Sequence, residues 1–244
     1  MSSENLGAII PARFNSSRFP GKPLVSIAGT PLVVRVANNC IEALGRQNTW
    51  VATDDSRIAD VCDSYGIQFV MTSSSHVTGT DRVKEAADSL NLDLVVNVQG
   101  DEPLIVAQDI RRVAVRLADD QNSVFLGSSR ANLEEGDKPS IPKLIKGFDN
   151  RVLYVSRVAL PSNKAGKLNG EGTLKQVAIY GFSSANLDRF ARSQRGLLEA
   201  VEDIEILRFL ELGITVRAVN IKSDSVAVDY PEDVFEVERV LGSR

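Results

Sequence analysis

The 244-residue chain contains one histidine, two cysteines and one tryptophan. A single imidazole, His76, cannot furnish a multi-histidine zinc site, and it removes Ser–His–Asp hydrolysis and Cys–His proteolysis from consideration. Cys40 and Cys62 lack metal-ligand spacing and fall in helix-like segments, so they read as buried thiols of a cytosolic protein. No apolar stretch nears the roughly 20 residues that span a bilayer, and residues 1–5 carry no basic targeting region. The expectation is a soluble, cytoplasmic chain with no membrane partner. Positive charge is not in excess either: 28 Lys and Arg face 32 Asp and Glu, for a formal net charge of −4. That balance argues against a nucleic-acid partner held by a broad basic face and suits local basic loops that take a small anionic substrate. Two nucleotide signatures are missing. Pro11-Ala12-Arg13 stands where a dinucleotide-binding oxidoreductase would carry G-x-G-x-x-G, and Gly21-Lys22 is followed by Pro23 instead of the Ser or Thr of a P-loop kinase.

What is present is alternation. Strand-like apolar runs at residues 6–12, 49–53, 68–72 and 94–98 alternate with helical periodicity at 31–44, 55–65, 81–90 and 109–117. Short joints between them predict an α/β fold, a mostly parallel, Rossmann-like sheet with helices on both faces. The pattern then turns β-rich, at 123–131, 143–148, 152–158 and 176–182, with a Gly-, Lys- and Asn-rich stretch at 163–172 that reads as a hairpin tip or mobile loop. One helix over 197–212, a strand over 215–221 and a helix over 230–241 close the chain. The expected organisation is an α/β region over 1–122, a smaller β-rich insertion over 123–182 and a return to the α/β region over 183–244.

Four segments carry residues suited to chemistry. After the first strand come Arg13, Arg18 and Lys22, spaced by small and turn-forming residues. At the carboxyl end of a parallel strand, such cations can chelate the oxygens of a polyphosphate; an ordinary solvated basic loop is the plainer alternative. After the fourth strand, Gly100 permits a sharp turn and Asp101 projects from the strand end, as a Mg²⁺ ligand or as a turn or cap residue. Asp229 likewise follows an apolar segment and precedes a helix, where it is either an N-cap or, with Asp101, the second carboxylate of a Mg²⁺–triphosphate site. Between the third strand and its helix, Ser74, His76, Gly79, Thr80, Asp81 and Arg82 offer hydroxyls and backbone to a nucleobase edge. Thr80 or Asp81 there would also cap the helix.

Taken together, IIPARFNSSRFPGKPL, VATDDSRIADV, MTSSSHVTGTDR, NVQGDEPL and VDYPEDV, in this order and across essentially the whole chain, resemble the CMP-Kdo synthetases, the 3-deoxy-manno-octulosonate cytidylyltransferases. The resemblance implies a Mg²⁺-dependent enzyme that joins a sugar acid to CTP, giving a CMP-sugar and pyrophosphate for lipopolysaccharide synthesis. It also implies an insertion that serves sugar binding and dimerisation in a homodimer. By motif match, Arg13, Arg18 and Lys22 would hold phosphates and Asp101 and Asp229 would bind metal, with Lys22, Asp101 and Asp229 forming the catalytic set. The segment from His76 to Arg82, Ser74 beside it, and Gln99 would contact cytidine or the sugar. A sugar-nucleotide-consuming glycosyltransferase and a non-catalytic CTP sensor are the rival readings; pyrophosphate release from CTP plus a sugar acid separates them.

The sugar side departs from the family pattern. Gln176 stands where a histidine is usual, ahead of the shared Tyr180; Glu205-Ile206 replaces Glu-Gln; and the residues after Arg157 differ. With the phosphate and metal motifs intact, exchanged hydrogen-bonding groups imply an altered substrate hydroxyl, because unpaired buried polar groups discriminate strongly. The expected sugar-side residues are Gln99, Arg157, Gln176, Tyr180, Glu205 and Ile206. The favoured sugar is 8-amino-3,8-dideoxy-manno-octulosonate, whose ammonium suits acceptors such as Glu205; Kdo itself is the alternative.

Overall fold

The computed structural model describes residues 5–16, 18–165, 172–223 and 225–242. In chain order the elements are β1 (Leu6–Ala12), β2 (Ser26–Ile27), β3 (Thr30–Pro31), α1 (Leu32–Leu44), β4 (Thr49–Thr53), α2 (Ser56–Ser64), β5 (Gln68–Met71), α3 (Gly79–Ser89), β6 (Leu94–Val98) and α4 (Ala107–Asp119). They continue with β7 (Val124–Arg130), α5 (Leu133–Asp137), β8 (Lys143–Lys146), β9 (Val152–Ser156), β10 (Leu174–Ser183), α6 (Ser184–Arg192), α7 (Leu197–Glu202), α8 (Ile206–Glu211), β11 (Val216–Asn220) and α9 (Asp233–Gly242).

Strands β1 and β6 are buried along nearly their whole length and are mostly apolar, apart from the buried Asn97 in β6, as expected for parallel strands covered on both faces. The main sheet has the order β11-β7-β10-β6-β1-β4-β5, with β8 paired to β10 and β9 paired to β8. β1, β4, β5 and β6 run parallel, whereas β10 lies antiparallel between β6 and β7. One face is packed by α1, α2, α4 and α9 through residues such as Val36, Ile58, Ile110 and Val237. The other face is packed by α3, α6 and α8 through Val83, Leu187, Phe190 and Phe209. On that second face Tyr180, Phe182, Phe209 and Phe190 stack in succession, with centroids 5.8, 5.2 and 4.9 Å apart, so α6 and α8 are fixed against β10.

The mostly parallel α/β sheet matches the expectation, and two details differ. The helix expected over 197–212 is two helices, broken at Asp203, which adopts a left-handed φ of 52°. α6 was not anticipated. Within the β-rich stretch, β7 and β10 lie inside the main sheet, and β8 and β9 extend from it. The hairpin tip expected over 163–172 falls mainly on 166–171, outside the described residues. Among the described residues, no helix is long and apolar enough to cross a membrane.

Candidate active site

Because β1 and β6 are parallel neighbours, the loops that leave Ala12 and Val98 emerge at the same edge of the sheet. Gly100 makes their close approach possible: a Cβ there would lie 2.7 Å from the Pro11 carbonyl oxygen. In the first loop, Gly21 takes a φ of 75° and donates its N–H to the Phe14 carbonyl at 2.9 Å, closing the loop beneath Lys22.

The expected phosphate and metal residues converge here. Lys22 Nζ lies 2.8 Å from Asp101 Oδ2 and 3.6 Å from Asp229 Oδ1, and the Arg18 guanidinium is bidentate to Asp229 at 2.9 and 3.2 Å. The Val228 N–H donates to the Asp101 carbonyl at 2.9 Å, which binds the Asp229 segment to the end of β6. Asp229 lies four residues before α9 begins, and the Asp233 carboxylate accepts the Asp229 and Tyr230 N–H groups, which fixes the backbone of this segment. The Asp229 side chain is left to the cations. Arg13 is exposed at the same rim and makes no ion pair among the described residues. Two hard carboxylates already gathered around one ammonium form a donor set that could hold Mg²⁺, which takes one or two carboxylates and completes its shell with phosphate and water oxygens.

Two cavities meet at this point. A smaller one of about 170 Å³ is lined by Arg13, Arg18, Lys22, His76, Gly79, Arg82 and Gln99. A larger one of about 380 Å³ is lined by Gln99, Glu102, Arg157, Lys175, Gln176, Tyr180 and Ser225, and Arg18, Gln99, Asp101 and Glu205 border both.

The segment from Ser73 to Arg82 forms one wall of the smaller cavity. Thr78, not Thr80, is the N-cap of α3, in a reciprocal box with Asp81. His76 Nε2 and the Ser73 N–H both meet Glu85 Oε2. Arg82 is buried, bonded to Thr72 and paired with Asp54 at 3.2 Å. Ser74 is exposed and lines neither cavity, and Thr80 is buried with its side chain away from both.

On the larger cavity, Gln176 Nε2 donates to Tyr180 Oη at 2.8 Å, while Gln176 Oε1 is buried and has no partner among the described residues. Burial, and then the charges of Glu205, Glu102 and Asp101, push the Tyr180 hydroxyl well above its ordinary pKa, so it stays protonated. Arg157 is fixed by three carbonyls, with Nε on Glu202, Nη1 on Pro139 and Nη2 on Asp203. Ile206 does not reach the cavity; it is 2 % exposed and packs in the core with Leu207 and Phe209. Glu205 is committed elsewhere, accepting the Gly79 and Thr80 N–H groups. Among the lining residues that went unforeseen are Glu102, Lys175 and Ser225. Glu102 is buried, accepts from Ala178 N and Ser225 Oγ, and is pushed up to about 7 by burial and then by Asp101. Its place in the Gly-Asp-Glu-Pro turn was the available signal. Lys175, ion-paired with Glu135, and Ser225 had no local signal.

The sheet and the cation–carboxylate cluster at its ligand edge define an α/β nucleotidyltransferase fold. The family model for cytidylyltransferases matches residues 7–221. The 3-deoxy-manno-octulosonate cytidylyltransferase of Myxococcus xanthus is 39% identical over 100% of this chain and 99% of its own. That of Syntrophobacter fumaroxidans is 38% identical over 96% and 95%. The 8-amino-3,8-dideoxy-manno-octulosonate cytidylyltransferase of Shewanella oneidensis is 37% identical over 97% and 98%. The solved structure of CMP:2-keto-3-deoxy-manno-octonic acid synthetase complexed with CTP superposes with a TM-score of 0.90 at 31% identity, covering 99% of both chains. The chain belongs to the cytidylyltransferase family, in its CMP-Kdo synthetase group.

Proposed function

We propose that the chain transfers CMP from CTP to the anomeric hydroxyl of a Kdo-type sugar acid and releases pyrophosphate. The observation that carries this reading is the junction of the two cavities at Asp101, with Arg18, Lys22 and Asp229 clustered around it. CTP fits the smaller cavity with its base toward the His76–Arg82 wall and Gln99, and its β- and γ-phosphates toward Arg13, Arg18 and Lys22. The sugar fits the larger cavity beside Gln99, Arg157, Gln176 and Tyr180. The sugar oxygen bonds to the α-phosphorus as the bond to pyrophosphate breaks, the hydroxyl proton passes to solvent, and the arginines and lysine balance the charge of the leaving group. Positioning and charge stabilisation suffice for such a transfer, without a covalent nucleophile. Asp101 and Asp229 would hold Mg²⁺, which when bound polarises the α-phosphate and acidifies the attacking hydroxyl.

The favoured sugar is 8-amino-3,8-dideoxy-manno-octulosonate. Gln176 replaces the usual imidazole, and its buried Oε1, without a partner among the described residues, would accept from an ammonium group once the amide turns toward the larger cavity. Kdo itself is the second reading, supported by the names of the Myxococcus and Syntrophobacter relatives. Pyrophosphate release, measured with CTP against Kdo, its 8-amino analogue and sialic acid, tests both levels. Turnover with either octulosonate supports the reaction, and none with any acid rejects it. A higher kcat/KM for the amino sugar supports the finer assignment; equal values or a preference for Kdo reject it. The assembly we propose is a homodimer, supported by the exposed apolar side chains of Leu153 on β9 and of Leu197 and Val201 on α7; sedimentation equilibrium decides.

A further inference from the structure

The wall that faces the nucleotide is held by two carboxylates that the transfer scheme leaves unused. Glu85, inside α3, accepts the Ser73 N–H at 2.9 Å and meets His76 Nε2 with the same oxygen. Glu205 comes from the N-cap of α8 and takes the other end: Oε1 accepts the Gly79 N–H at 3.1 Å and Oε2 the Thr80 N–H at 2.9 Å. These first-turn amides have no partner within their own helix, and a carboxylate also complements the positive end of the helix dipole. One turn further along α8, Arg208 lies 4.0 Å from Asp81, the residue that closes the Thr78 capping box. So α8 grips the start of α3 at two points, across more than 120 residues of sequence.

The chain just before Glu205 is tied to the sugar side. The Glu202 carboxylate accepts from Ser156 Oγ at 2.6 Å and from the Arg157 N–H at 2.9 Å, and the carbonyls of Glu202 and Asp203 hold the Arg157 guanidinium. The bend at Asp203 therefore joins β9 and Arg157 on one flank to the nucleotide wall on the other. The break in the expected helix is what allows this, since a continuous helix would carry residues 202 and 205 nearly one turn apart on a single face.

We infer that Glu205 is a positioning residue for the nucleotide: it fixes Gly79 and Thr80 so that the His76–Arg82 wall is set before CTP arrives, and it links that wall to the sugar cavity. This rests on the reading that the wall contacts CTP, so the test must separate the two. CTP affinity is measured by calorimetry with Mg²⁺ and no sugar, for the parent enzyme and for Glu205→Gln, Glu205→Ala and His76→Ala. A residue that touched only the sugar would leave this value unchanged. Two charge-assisted hydrogen bonds to the helix amides predict a loss of about tenfold for Glu205→Ala and a smaller loss for Glu205→Gln, which keeps one acceptor. Faster amide exchange at Gly79 and Thr80 accompanies either loss. Glu205→Gln conserves volume and decides the matter if the alanine variant does not fold. A loss of threefold or more in either folded Glu205 variant supports the inference. CTP affinity within threefold of the parent overturns it. If His76→Ala also leaves CTP affinity unchanged, the assignment of the wall to CTP fails with it; if His76→Ala alone weakens CTP, that assignment stands and the role of Glu205 falls.

Discussion

Lys22 occupies the position on which the rest of the cluster depends. Its ammonium lies between Asp101 and Asp229 and offsets the repulsion of the two carboxylates, of which Asp229 also pairs with Arg18. A divalent cation placed there would relieve the same repulsion more strongly, freeing Lys22 for phosphate. Asp101→Asn and Asp229→Asn remove one charge each and keep the size and most of the hydrogen bonding. Each is expected to lower kcat by on the order of 10²–10³ and to raise the Mg²⁺ concentration needed for half-maximal turnover. The melting temperature should stay within a few degrees of the parent, since neither residue is in the core. A Mg²⁺ titration of turnover checks this, and full activity in either variant would remove the metal assignment. Asp101 was legible in the sequence because it closely follows the apolar strand β6, and Asp229 because it follows an apolar segment ahead of a helix, although β11 ends well before it at Asn220. Glu102 had that advantage too and was passed over, because the same turn offers Asp101 as the more obvious ligand. Lys175 and Ser225 reach the cavity from β10 and from the segment before Asp229, and no spacing in the sequence links them.

At the level of elements, α7 and α8 show why periodicity misled. Leu198, Val201, Ile204, Leu207 and Leu210 keep helical spacing through the break at Asp203, so the pattern predicts one helix. Tertiary bonds override it: Glu202 turns to β9 and Glu205 to α3. The two short helices are then pinned to each other by a wholly buried ion pair, in which Arg208 Nη2 reaches Glu199 Oε1 at 2.7 Å while the guanidinium stacks 3.7 Å above the Phe190 ring. Removing one partner strands the other charge in the core. Glu199→Ala is expected to cost about 3–5 kcal/mol and to lower the melting temperature by roughly 10 °C. Replacing both partners with apolar side chains of similar volume should recover much of that loss. Thermal unfolding of the single and double variants makes the comparison. Equal stability of Glu199→Ala and the parent would show that the bend is held by its backbone and aromatic contacts alone.

Across the whole molecule, the smaller cavity, where we propose CTP binds, is assembled from segments near residues 13–22, 76–82, 99–101 and 205, and the larger, proposed for the sugar, adds residues near 157, 175–180 and 225. A β-rich insertion over 123–182 with a core of its own would be able to unfold by itself. In the structure β7 and β10 pair with β6 and β11 inside one sheet, so the strands that flank β8 and β9 belong to the same core as the phosphate loop. Shared core and shared site favour one cooperative transition. Scanning calorimetry should therefore show a single endotherm whose calorimetric and van't Hoff enthalpies agree. CTP with Mg²⁺ at about 100 times its dissociation constant adds about 2.7 kcal/mol to the folded state. For a chain of this length that raises the whole transition by about 5–10 °C, with no shoulder left at the original temperature. A second transition that CTP leaves in place would instead identify the β8–β9 region as an independent unit, and the sugar cavity would then have to be completed by docking of two separately stable parts.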